Sequence, residues 1–223
     1  MLRLFDAWYT VGGLPLAAEY IFAAATHPAY QGNGYMGMLV GAACAAGAAR
    51  GAVLSVLVPQ NKSLFHYYEN LSYHTGFYLR TEQYQPQAGE RYPIEQCGFT
   101  DFCRLREQML LQYPKRIEPG SDLWIYSYED MAGDIYRVAI ADEERYLVVR
   151  KEQDCLLVRE TDCTPQELRI LDETLRYTFD VTLIRLFTMG GQEDQPFGMY
   201  RILAPGCHDL PQGDAYMNLM LDK

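Results

Sequence analysis

Apolar residues in this sequence fall into runs of two kinds. Short, dense runs bounded by turn residues predict strands: Leu2–Val11, Glu19–Thr26 and Ala52–Val58 in the first half, with Tyr146–Val149, Leu156–Glu160 and Val181–Phe187 in the second. Gly12-Gly13 and Leu14-Pro15 predict that the first strand turns back as a hairpin. Longer runs carry helical spacing. Tyr35–Arg50 is rich in Ala, its Gly37, Gly41 and Gly47 permit close packing on a sheet, and Gly51 ends it. Pro59-Gln60-Asn61-Lys62-Ser63 predicts a capped helix start, and Leu64, Tyr67, Tyr68 and Leu71 continue it on one face. A strand over Thr75–Arg80 closes this group.

Gln83–Gln96, with Pro86, Gly89 and Pro93, reads as the end of a domain and a linker. The predicted division is therefore 1–96 and 97–223. In the second part, Phe99–Tyr113 is a helix stopped by Pro114. Ser127-Tyr128-Glu129-Asp130 predicts another helix start, with Met131, Ile135 and Val138 on one face. Thr164-Pro165-Gln166-Glu167 places a cap, a proline at the first position and a glutamate at the third, ahead of Leu168, Leu171 and Leu175.

Strand 19–26, helix 35–50 and strand 52–58 form a βαβ unit whose two strands should pair in parallel. The loop entering its helix then lies at the carboxyl edge of a parallel pair, where open α/β sheets bind ligands. That loop contains Gly32-Asn33-Gly34. Glycines there allow positive φ, so several N–H groups converge where the helix dipole favours an anion by about 0.3–1 kcal/mol. The loop lacks Gly-x-x-x-x-Gly-Lys-Ser/Thr, the third glycine of a dinucleotide fingerprint and that fingerprint's acidic residue. On the loop alone a phosphate cradle and a turn that binds nothing are both open. Tyr146–Phe187 repeats strand, helix, strand, but Thr161-Asp162-Cys163-Thr164-Pro165 has no glycine and sets a carboxylate where a phosphate would lie.

Charge and composition narrow the classes. At pH 7 the net charge is −10, from 19 basic and 29 acidic residues, which excludes the basic surface that nucleic acid requires. The same acidity steers a cationic amine favourably. Six cysteines form no Cys-x-x-Cys pair and have no His partners at zinc spacing, so no metal site is expected and free thiols in a reducing cytoplasm are. Met38–Val58 is almost entirely apolar, but Arg50-Gly51 divides it into helix and strand, so no membrane span is expected; neither is a signal peptide.

Thr26-His27-Pro28-x-Tyr30-Gln31-Gly32-x-Gly34-Tyr35-Met36 resembles the acetyl-CoA loop of GNAT-type N-acetyltransferases. Asn61 and Tyr68-Glu69-Asn70-Leu71-Ser72-Tyr73 follow at the family's distance, with Ser72 where the family has glycine. The closing Pro196–Arg201 and Tyr216–Leu221 resemble the end of tandem bacterial GNAT proteins of the enhanced-intracellular-survival type. The resemblance implies a mixed α/β (α+β) sheet with flanking helices, followed by a degenerate second GNAT-like domain. The family's first strand, two helices and a further strand, which wall the amine site, have no counterpart before Met1, which implies a shortened form, a fragment or a misplaced start.

The resemblance also implies roles. Ala24, Ala25 and Thr26 pair their backbone with the pantetheine arm of acetyl-CoA. Gln31, Gly32, Asn33, Gly34, Tyr35 and Met36 hold its pyrophosphate, Asn61 meets the cofactor further along, and Tyr68 protonates the leaving thiolate. A base is harder to place, because a lysine-like amine is about 3 pKa units from its neutral form at pH 7. Glu19 and the terminal carboxylate of Lys223 are comparable candidates; His27 and His66 read as a turn residue and a helix-surface residue. The expected activity is direct acetyl transfer to a small-molecule or peptide primary amine, the alternative a catalytically inactive acyl-CoA-binding protein; a homo-oligomer stays open.

Overall fold

The computed structural model describes residues 1–204, 207 and 209–217. In chain order the elements are β1 (Arg3–Val11), β2 (Leu14–Phe22), α1 (Tyr35–Ala49), β3 (Leu54–Leu57), α2 (Lys62–Glu69), β4 (His74–Tyr84), β5 (Ile94–Gln96), α3 (Phe99–Leu110), β6 (Lys115–Pro119), α4 (Ser121–Met131), β7 (Ile135–Ile140), β8 (Glu143–Glu152), β9 (Cys155–Thr161), α5 (Pro165–Ile170), α6 (Asp172–Phe179), β10 (Leu183–Met189), β11 (Gln195–Ile202) and β12 (Tyr216–Met217). They sort into two compact units that are not contiguous in sequence.

The first unit takes Met1–Leu79, Pro114–Ser127 and the described residues from Met189 onward. Its mixed sheet runs β12-β6-β1-β2-β3-β11-β4. β1 and β2 form the expected hairpin, Arg3 opposite Phe22 and Val11 opposite Leu14, with Gly12 and Gly13 at positive φ in the turn. β2 and β3 pair in parallel, Ala18–Tyr20 beside Leu54–Val56, and α1 makes the crossover. One face of this sheet buries Phe5, Tyr9, Tyr20, Phe77, Ile117 and Leu123. The other buries Ile21, Val40, Cys44, Leu57, Tyr68 and Tyr73 beneath α1 and α2.

The second unit takes Arg80–Tyr113 and Tyr128–Thr188, with a sheet ordered β10-β9-β8-β7-β5. β9 and β10 are parallel, joined through α5 and α6, so this strand-helix-strand unit forms as the pattern predicts. Leu147, Val149, Leu156, Val158, Leu168, Leu171, Leu175 and Ile184 make its core.

Several boundaries differ from the sequence reading. The helix expected to start at Ser127 starts at Ser121; the Ser127 hydroxyl donates to the Leu123 carbonyl at 2.7 Å, an interior position rather than a cap. Gly133, at φ 103°, follows the end of α4, and Ile135 and Val138 go into strand β7 instead of onto a helical face. β6 has no strong pattern of its own and is recruited by pairing with β1. The helix opened by Thr164 breaks at Leu171 into α5 and α6.

Candidate active site

The predicted strand 19–26 ends at Phe22, and the reason is a bulge. Arg3 pairs with Phe22, while the Ala25 N–H donates to the Met1 carbonyl at 2.9 Å and the Met1 nitrogen donates to the Ala25 carbonyl at 2.6 Å. Between these pairs β1 advances two residues and the other strand three, and Ala23 takes up the difference at φ 51°. On its other side β2 stops pairing with β3 at Tyr20 and Val56, although the strands run on to Phe22 and Leu57. The two strand ends therefore part. Successive peptide groups point to alternate edges, so those of Ala24 and Thr26 face away from β1, toward this opening. Of the three predicted backbone contacts, Ala25 has both polar groups taken by Met1, the Thr26 carbonyl accepts from Gln31 Nε2 at 3.1 Å, and Ala24 bonds no described residue.

The loop that follows is built to present the start of α1. Pro28–Tyr30 forms one 3-10 turn, capped by His27 Nδ1, which accepts from the Ala29 N–H at 3.3 Å. Asn33 Nδ2 donates to the carbonyls of Tyr30 and Gln31 at 3.1 and 3.2 Å. Gly32 and Gly34 sit at φ 80° and 77°, a conformation any side chain would strain. Space is open where their Cβ atoms would stand. Gly34 is the N-cap of α1 and supplies no side-chain acceptor, nor is there an acidic residue in the first turn. The first N–H groups of a helix of 15 residues thus meet no capping side chain. Loop and helix start are exposed from Gln31 to Tyr35. An anion such as the pyrophosphate of acetyl-CoA fits this cradle, because the glycines leave it unfilled and no carboxylate competes for it.

Tyr68 packs at the ends of β2 and β3. Its side chain, 7% exposed, belongs to the cluster with Ile21 at the end of β2, Leu57 at the end of β3 and Val40 on α1; Met36 packs against the same cluster. Its ring meets Tyr67 edge-on at 5.3 Å and Tyr73 at 5.7 Å. Its hydroxyl bonds no described residue, and burial, with Tyr67 adding to it, pushes the phenol above its usual value.

The end of α2 locks Tyr68 in place. Ser72 N–H donates to Glu69 and Tyr73 N–H to Tyr68, at 2.9 and 3.0 Å, with Ser72 at φ 64° between them. This is a Schellman end, and Ser72 adopts the left-handed conformation glycine would occupy. The helix start is held by Asn61, whose Oδ1 accepts from Ser63 N and Oγ at 3.1 and 2.6 Å. Asn61 caps α2, leaving its amide nitrogen for a ligand.

Glu19 is placed elsewhere. Its side chain is 1% exposed and lies beneath Gly47, in the last turns of α1, whereas the loop enters at the opposite end of that helix. Thirteen residues at 1.5 Å each separate Gly34 from Gly47, about 20 Å. Burial raises the Glu19 pKa; Ser55 and the Arg50 guanidinium, 3.7 Å away, pull it down, and Asp6 pushes it further up. The Ser55 hydroxyl is already paired with Tyr73 at 2.7 Å, and neither Glu19 oxygen makes a hydrogen bond. Burial therefore outweighs the two opposing groups. Glu19 hydrogen-bonds neither Tyr68 nor the loop; its charge acts on Tyr73, the ring beside Tyr68. Lys223 lies outside the described residues. His27 caps its turn, and His66 is exposed beside Glu69.

Tyr73, Ser55 and Cys44 form a buried chain, with Cys44 Sγ 3.4 Å from the Tyr73 hydroxyl, that the sequence did not single out. Tyr73 closes the Tyr68–Tyr73 motif and Cys44 lies in the Ala-rich run, and only the tertiary fold brings the three together.

In the second unit the loop after β9 is closed from within. Thr164 Oγ1 accepts from the Glu167 N–H at 3.2 Å and Glu167 Oε2 accepts from the Thr164 N–H at 2.7 Å. Asp162 Oδ1 accepts from the Tyr146 N–H at 2.8 Å, and burial lifts its pKa to about 6. A helix start that caps itself, with two carboxylates beside it, disfavours a phosphate.

Residues 1–76 match a family model described as the acetyltransferase (GNAT) domain. The first third of the chain is thus similar to a GNAT acetyltransferase domain. The matched segment ends at the third residue of β4, so it contains the bulge, the glycine loop, α1, α2 and Tyr68. Solved structures agree on the fold. A GCN5-related N-acetyltransferase from Anabaena variabilis is similar with a TM-score of 0.69 at 15% identity, covering 91% of this chain and 59% of that one. One from Kribbella flavida gives 0.66 at 16%, covering 91% and 57%. A protein of Enterococcus faecalis described as a probable N-acyltransferase gives 0.65 at 16%, covering 91% and 58%. This chain thus spans less than three fifths of the length of those structures. No curated protein matches the sequence. Among the described residues no helix is long and apolar enough to cross a membrane.

Proposed function

We propose that the protein is an acetyl-CoA-dependent N-acetyltransferase that moves an acetyl group directly onto a primary amine. The observation that carries this is the conjunction of an uncapped, glycine-lined start of α1 with a buried tyrosine, Tyr68, at the place where β2 and β3 part. Acetyl-CoA supplies a thioester and a thiolate leaving group. The loop N–H groups from Gln31 to Met36 hold its phosphates, Ala24 offers its peptide edge to the pantetheine arm, and the Asn61 amide nitrogen reaches the same arm. Tyr68 holds a proton for the departing sulfur. From an ordinary phenol near 10 to a thiol near 8.5 that transfer runs uphill by about 2 kcal/mol, and the raised pKa adds to it. The benefit of Tyr68 is position: it stays protonated at every working pH and is fixed by two rings and the end of α2.

The acceptor is a small-molecule or peptide amine, and the setting is cytoplasmic, a reading supported by six free thiols. We further propose that the second unit, most of which lies within residues 97–223, derives from a second GNAT-like domain of the tandem, enhanced-intracellular-survival-like kind. The parallel β9-helix-β10 unit supports this, and its self-capped loop supports a single cofactor site.

Calorimetric titration with acetyl-CoA tests the site. Saturable binding is expected for the wild type and for Tyr68→Phe, and none for Gly34→Glu, which adds strain, bulk and negative charge to the cradle. In an amine screen Tyr68→Phe should turn over at least tenfold more slowly than the wild type. Absence of binding by the folded wild type refutes the proposal, and binding without turnover of any amine points to an acyl-CoA-binding protein.

A further inference from the structure

Arg3 stands at the bulge and on the sheet face opposite to α1. It pairs with Phe22, the last residue of β2 before the strands part. Its guanidinium carbon lies 5.0 Å from the ring centroid of Phe5 and 5.1 Å from that of Tyr126, on α4. These rings and Phe22 form a triangle with centroid separations of 6.0 to 6.1 Å. Tyr126 is 39% exposed, and Arg3 is exposed and bonds no carboxylate among the described residues. In a chain with ten more acidic than basic residues, a cation in this state needs a reason.

We propose that Arg3 recognises a carboxylate on the acyl acceptor, and that the acceptor is an amine bearing both a carboxylate and an aromatic or large apolar body. This rests on the transferase reading in one respect: with phosphates on the α1 face, the acceptor reaches the opening from the other face, where Arg3, Phe5, Phe22 and Tyr126 lie. A guanidinium presents a planar fork that matches a carboxylate with two hydrogen bonds. Stacking on two rings preorganises that fork, so little rotamer entropy remains to be lost on binding. The exposed edges of Phe22 and Tyr126 provide the apolar wall for the body of the same molecule. The net charge of −10 opposes an anionic ligand at long range, but over roughly 8 Å at physiological salt that field is screened and the adjacent guanidinium decides.

The test compares two acetylated amines that differ only in the carboxylate, N-acetylphenylalanine and N-acetylphenethylamine, titrated by calorimetry into the full-length protein in the presence of coenzyme A. The wild type is expected to bind the acid at least tenfold more tightly. Arg3→Gln should lose that preference while keeping its affinity for the neutral compound within twofold, and Arg3→Lys should recover part of it. Equal binding of the two by the wild type, survival of the preference in Arg3→Gln, or binding of neither compound overturns the inference. An Arg3 that only covers aromatic rings would leave the ratio unchanged. If acetyl-CoA fails to bind but the Arg3-dependent preference is present, the transferase reading falls and the carboxylate site stands.

Discussion

Replacing Gly47 by alanine decides what Glu19 is for. In an ordinary helix interior Gly→Ala stabilises by about 0.5–1 kcal/mol. Here a Cβ on Gly47 would stand 1.7 Å from Glu19 Oε2 and 2.4 Å from its Cδ. Those atoms belong to a side chain end, but one that is fully buried between α1 and the sheet. Overpacking of this kind costs about 1–3 kcal/mol. Gly47→Ala is therefore expected to destabilise the wild type by about 0.5–2 kcal/mol once its helix-forming gain is subtracted. In a Glu19→Ala background the obstacle is gone, and the same change should stabilise by about 0.5–1 kcal/mol. The sign reverses, with a coupling of about 1–3 kcal/mol. Urea denaturation of the four proteins at constant pH measures it. If Gly47→Ala stabilises the wild type, Glu19 is not packed under α1 as described, and its exclusion from the opening loses its basis.

Glu19→Gln should gain stability over the wild type, in chemical denaturation, as pH rises above the ordinary carboxyl range: a carboxyl whose folded pKa is raised binds its proton more tightly when folded, so the wild type loses stability as that proton leaves and the amide does not. Asp162→Asn should flatten the stability slope between about pH 4 and 6, the interval between the ordinary carboxyl value and about 6, since the amide oxygen still accepts from Tyr146; an unchanged slope refutes the assignment. Ser72→Gly should stabilise by about 0.5–1 kcal/mol in chemical denaturation, by relieving a left-handed non-glycine residue, with acetyl-CoA affinity unchanged. Thr164→Ala should cost about 1 kcal/mol by the same measurement, through loss of the capping box.

What the sequence made legible is what local chemistry dictates. The Gly12-Gly13 turn, the Asn61 and Thr164 caps and the Ala-rich α1 each carry their reason within a few residues. The parallel βαβ unit follows from the spacing of two buried runs about a helix. What escaped was set by distant partners. β6 becomes a strand because β1 lies beside it, and Ile135 and Val138, compatible with either period, become β7 because β8 and β5 flank them. The return of β11 between β3 and β4, which gives the first unit a strand from far along the chain, has no signal in the residues of either neighbour.

The site divides in the same way, and the division says which parts of it can be trusted to local motifs. The glycine loop and Tyr68 are local: positive φ at Gly32 and Gly34 and the capped ends of α2 place them without help. The opening between them is not local. It exists because a bulge at Ala23 throws β2 out of register with β1 just where pairing with β3 ceases. Ala25 shows the consequence, since counting along the strand treats 24, 25 and 26 alike, while the bulge turns the peptide groups of Ala25 to Met1 and those of Ala24 the other way. Glu19 shows the converse: near the loop in sequence, it is carried by the direction of β2 to the far end of α1. A carboxylate three residues upstream of a strand's carboxyl end lines the sheet beneath the last turns of the helix, while the loop enters at that helix's start.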